Sequence, residues 1–159
     1  MLARLFAAAL LLWPASASAQ PRTVTPFEVL NEICLSFLMW GTRPIGNAVG
    51  HARIKGFRLD AQEPNDFTLS LNGATLNIYQ EGSGADLYGG CDYKVPNYPI
   101  DRMVSELAPA MRQYGFRPTP SQGDHQMWVR DGHIDITFSS FDFMEGTTEM
   151  SVMWSATPE

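Results

Sequence analysis

The stretch that decides the fold is Phe67-Thr68-Leu69-Ser70-Leu71-Asn72-Gly73-Ala74-Thr75-Leu76-Asn77-Ile78. Apolar and polar residues alternate on both sides of Asn72-Gly73, and an extended chain turns successive side chains to opposite faces. Asn-Gly supplies the two positive φ angles of a type I′ turn, so the stretch reads as a two-residue β-hairpin. In that register Leu71 faces Ala74, Leu69 faces Leu76 and Phe67 faces Ile78. One face is then apolar and needs a cover.

The cover is written on both sides. Toward the N-terminus, Thr25-Pro26-Phe27-Glu28 has the form of a helix start with a capping box, and Phe27, Leu30, Cys34, Phe37 and Leu38 follow at three- and four-residue steps. Pro44 opens a second helix with Ile45, Ala48, Val49 and Ala52 as its stripe and Gly56 as its left-handed cap. Beyond the hairpin, Cys91, Tyr93 and Val95 alternate as a third strand. A longer helix then carries Ile100, Met103, Val104, Leu107, Ala110, Met111 and Tyr114 between Pro99 and Gly115. The spacing predicts a second hairpin over 126–130 and 133–138 across Asp131-Gly132, and a last strand over 148–155 with Met150, Val152 and Trp154 on one face.

Gly56-Phe57-Arg58 and Gly115-Phe116-Arg117 each follow a helix and stand at equal distances before the turn glycines Gly73 and Gly132. The chain therefore reads as two units, each a helix, Gly-Phe-Arg and three strands. By count Leu69 aligns with Trp128, but a two-residue second turn makes Met127, Val129, Ile134, Ile136 and Phe138 the inward set, which requires a bulge or register change between the units. The expected fold is α+β, with helices on one face of an antiparallel sheet of about six strands. This pattern of a Cys-bearing helix with Cys34, Gly56-Phe57 after a helix, Cys91 in a strand and a further helix over 100–114 resembles small secreted proteobacterial proteins of unassigned activity. The resemblance implies a compartment and a fold, and no catalytic residue or ligand.

The compartment is read from the first residues. Arg4 precedes the apolar run 5–13, then come Pro14 and Ala17-Ser18-Ala19, the order of a secretory signal peptide cleaved after Ala19. Residues 20–159 are then a single exported domain, periplasmic or secreted. The apolar run is about half the roughly twenty residues that a spanning helix needs, so no membrane anchor is expected. Cys34 and Cys91 are the two cysteines, and in an oxidising compartment an even count pairs. With 17 acidic residues against 11 Lys and Arg and a net charge of −6, the chain repels nucleic acid phosphates and anionic membrane surfaces.

Chemistry is sparser. No nucleophile elbow, nucleotide-binding loop or C-x-x-C is present, and three histidines offer few candidates for a general base, so the chain is expected not to be an enzyme and to need no cofactor. In the expected register of the second hairpin, Trp128 faces Asp135 and Arg130 faces His133, placing these four on the sheet face away from the helices. Trp and Arg are enriched at binding hot spots, so this face is the expected contact for a protein or an envelope component. The alternative is a carrier for a small ligand or for copper, with thioethers from Met127, Met144, Met150 and Met153. His125 and His133 stand roughly 20 Å apart along an extended arm and cannot share one ion.

Overall fold

A computed structural model describes residues 23–38, 44–120, 125–130, 134–141 and 146–156. The expected leader over residues 1–19, the Asp131-Gly132 turn and His133 lie outside them. Among the described residues eight strands form one antiparallel sheet: β1 (Arg58–Glu63), β2 (Asp66–Leu71), β3 (Ala74–Glu81), β4 (Tyr88–Val95), β5 (Arg117–Pro118), β6 (His125–Arg130), β7 (Ile134–Phe141) and β8 (Thr147–Ser155). Their spatial order is β1-β2-β3-β4-β8-β7-β6-β5, so two four-strand meanders meet where β4 pairs with β8.

The β2–β3 hairpin has the register that its alternation dictates, with Leu69 opposite Leu76 and Phe67 opposite Ile78. Asn72 and Gly73 take φ of 51° and 84°, the mirror-image turn whose twist matches that of the flanking strands. The expected six strands are corrected to eight. β1 reads Arg-Leu-Asp-Ala-Gln-Glu and lies mostly exposed at one edge, interrupted by a bulge between Leu59 and Ala61, while β5 is two residues long at the other edge. Charge, a bulge and brevity are devices that protect a sheet edge, and they also remove the alternation by which a strand is recognised.

The helices lie on one face. The first is not uniform: α1 (Pro26–Glu28) passes into a π-helical stretch (Val29–Cys34) and then into α2 (Leu35–Leu38). Thr25 and Glu28 form the expected capping box. The wider turn shifts the helix phase, so Val29, Leu30, Ile33, Cys34, Leu35 and Phe37 are all buried while Phe27 is 42% exposed, outside the stripe expected of it. α3 (Ile45–Ile54) buries Ala48, Val49 and Ala52, and α4 (Ile100–Gln113) buries Met103, Leu107 and Met111. Both end alike. Gly56 and Gly115 have φ of 102° and 87°, and Phe57 and Phe116 donate back to Ala52 and Met111 at 3.1 and 2.9 Å. Each Phe then drops into the core.

A disulfide joins Cys34 of the π-helical stretch to Cys91 of β4, Cα–Cα 5.5 Å, and both residues are fully buried. A second link lies at the surface, where Lys55 Nζ bridges Glu28 at 2.9 Å and Glu32 at 2.7 Å, tying the first helix to the end of α3. The Thr25 backbone N–H and then Lys55 hold the Glu28 carboxyl well down, at about 2. A group with a depressed folded-state pKa stabilises above its unfolded value, about 4.5, and loses that contribution as pH falls toward 2. Urea melts between pH 5 and 2 are therefore expected to show a shallower acid decline for Glu28→Gln than for the parent. An identical decline would remove Glu28 from the account.

Candidate functional site

Of the expected site, Trp128, Arg130 and Asp135 are among the described residues, and they do not share one face. β6 and β7 pair with Arg130 opposite Ile134, Val129 opposite Asp135 and Trp128 opposite Ile136, leaving three residues in the connection instead of two. One added residue reverses the facing of the first arm. Trp128 is 4% exposed and turned to the helices, with the Arg112 guanidinium 5.5 Å from its ring centre. Arg130 is half-buried on that same side, its Cδ 3.9 Å from where a Cβ on Gly115 would stand. Asp135 faces the other way, opposite Met153 and Val129. The inward set is thus Trp128, Ile134, Ile136 and Phe138, while Met127 is 39% exposed. Leu69 and Trp128, at equal distances after Gly56 and Gly115, both face inward.

The face turned from the helices carries another constellation. Register across the central strands places Asn77 of β3 opposite Asp92 of β4, Asp92 opposite Ser151 of β8 and Ser151 opposite Thr137 of β7. All four point away from the helices, since their neighbours Ile78, Cys91, Val152 and Ile136 are fully buried. Ser151 Oγ donates to Asp92 Oδ1 at 2.5 Å. The buried Asn77 Oδ1 accepts no hydrogen bond from the described residues. Next to this row, Lys94 Nζ stands 3.7 Å from Glu149. The Tyr79 ring lies across Gly90, where a Cβ would come within 2.4 Å of it.

Burial pushes the Asp92 carboxyl above its ordinary value and Asp66 adds to this, while Ser151 and Lys94 oppose it. Glu149 is raised chiefly by burial, with Asp92 adding to the effect against Lys94. Burial and then Asp92 push Tyr79 up to about 12. Negative charge on this surface is held at a cost. A carboxyl with a raised folded-state pKa destabilises the fold above that pKa, and the cost is relieved as pH falls through it. Asp92→Asn is therefore expected to raise the melting temperature at pH 7 and to leave it unchanged at pH 3. A lower melting temperature at pH 7 would mean that Asp92 is held in the fold by its charge.

The face also displays Met153, Met127 and Tyr88, at 46, 39 and 37% exposure. His125 stands at the start of β6, 2.9 Å from Ser139 Oγ. Among the described residues no three His, Cys, Asp or Glu side chains are gathered to hold a metal ion, and no helix is long and apolar enough to cross a membrane. Compared with models of known protein families, with curated proteins and with solved structures, the chain gives no significant match.

Proposed function

We propose that this is an exported, non-catalytic binding protein that engages a partner protein through the face of its sheet turned away from the helices. The observation that carries the reading is the one-sided cover. Helices pack on one face, and the opposite face bears three of the five large apolar side chains exposed among the described residues. An apolar group left in water on a structured sheet costs free energy that a partner would recover. A buried disulfide suits an oxidising compartment, and the leader read over residues 1–19 supplies the route. The contact stays on the face expected for it, but Trp128 and Arg130 are turned away from that face, and Met127 of β6, Met153 of β8 and Tyr88 of β4 stand on it instead. The carrier reading has less support, because the space between helices and sheet is filled by Leu30, Ile33, Phe116 and Phe138.

The same reading takes the two halves as copies of one unit. In support stand the mirrored strand order, the matched Gly-Phe helix ends and the shared inward facing of Leu69 and Trp128.

The test is photocrosslinking in cells with a benzophenone side chain placed at Met153, Met127 or Ile54, the last 75% exposed on α3. Adducts to one defined protein from the two sheet positions and none from Ile54 are expected. Adducts from Ile54 alone would overturn the reading.

A further inference from the structure

We infer that the occupant of this open face is a basic segment of the partner protein, with one cationic side chain seated against Asp92 and Asn77 and a second at the acidic end of β2 and β3. This rests on the binding reading above and supplies its chemistry. The outward positions of β2, β3, β4 and β8 carry four carboxylates, Asp66, Glu81, Asp92 and Glu149, against one cation, Lys94. Asp92 and Glu149 are partly withdrawn from water, so each is a charge whose field is weakly screened. The Asn77 Oδ1 beside Asp92 has no donor among the described residues and is closed to water in the unbound protein, so a partner's donor reaches it where the side chains over it give way. Two adjacent acceptors, one charged and one neutral, call for a group that donates several hydrogen bonds and carries positive charge. An arginine guanidinium or a lysine ammonium has that chemistry.

The second seat is a hollow of about 410 Å³ lined in part by Glu63, Asp66, Asn65 and Glu81. Tyr79 lies between the two seats, directly opposite Asp66 in register and flat across Gly90, a surface over which a cationic stem can pass. Asn77 and Glu81 are four residues apart on one strand, about 13 Å at 3.3 Å per residue, which matches two basic side chains four positions apart in an extended segment. A second copy of this chain would bring the same carboxylates against themselves, and nucleic acid would bring phosphates. Like charge disfavours both.

The probe is an end-blocked heptapeptide with two arginines four positions apart and serines elsewhere, titrated into the disulfide-bonded protein. Its twin carries citrulline, which keeps the shape and loses the charge. The arginine peptide is expected to bind at least tenfold tighter than the twin. Asp92→Asn is expected to weaken it about tenfold with no loss of melting temperature, whereas Asp101→Asn, a remote neutralisation on α4, changes it less than twofold. Equal binding of the two peptides would overturn the inference, as would equal losses for Asp92→Asn and Asp101→Asn, which would mean unspecific charge attraction. Peptide failure with retained crosslinks from Met153 would remove the basic occupant and keep the binding face. Loss of those crosslinks would remove the face as well.

Discussion

Replacing Cys34 and Cys91 together by alanine is expected to lower the unfolding free energy by about 4 kcal/mol and the melting temperature by roughly 10 °C. The bond spans a sequence separation of 57 and encloses α3 and β1 to β3. On the chain-entropy model its main effect is on the denatured chain, where closing so long a loop removes conformations that folding would otherwise have to exclude. In the native state the bond fastens the π-helical stretch to the centre of the sheet, where β4 meets β8. Denaturant melts of the parent and the double variant test this. A difference below about 1 kcal/mol would mean that packing of Leu30, Ile33 and Phe37 alone holds the first helix.

Trp128→Ala carries the second large effect, an expected loss of about 3–5 kcal/mol, the range for truncating a buried aromatic side chain. The ring is 4% exposed among Ile136 and the end of α4, with Arg112 against its face. Met127→Ala and Val129→Ala, the adjacent outward positions, are expected to change stability by less than about 0.5 kcal/mol. The three variants together read the register of β6. A neutral Trp128→Ala beside a costly Val129→Ala would restore the two-residue turn and return Trp128 to the open face.

That register is also where sequence and structure part. The first hairpin was legible because Asn72-Gly73 admits one turn type and both arms alternate without a break. In the second, Met127, Trp128 and Val129 are three consecutive apolar residues, so either parity buries one of the arm's large side chains. Five aligned apolar positions favoured the wrong choice. Equal spacing from Gly56 and Gly115 pointed to the other, since it pairs Leu69 with Trp128. The edge strands carry no legible alternation for a different reason: Leu59 is the one β1 side chain packed against the core, and β5 is too short for any period.

The helices were legible by stripe, apart from the π-helical stretch. There the apolar pairs Val29-Leu30 and Ile33-Cys34 fit either helix period, and the burial of both members of each pair reflects the wider turn. The candidate site was legible least of all. Asn77, Asp92 and Ser151 are polar residues at outward strand positions, the composition of any solvated sheet face. Pairing of β3 with β4 and of β4 with β8 brings them together across 74 residues of chain, and no local pattern encodes it.

The most direct measurement on the central claim, that one face of the sheet is covered by helices and the other open to a partner, is oxidation of the native protein by dilute peroxide followed by peptide mass analysis. Methionine oxidises where it meets solvent. Met127 and Met153 are expected to convert early, well before the fully buried Met103, Met111 and Met150, and to be protected once the partner is bound. Early oxidation of Met150 or Met111, or protection of Met153 in the isolated monomer, would contradict the account.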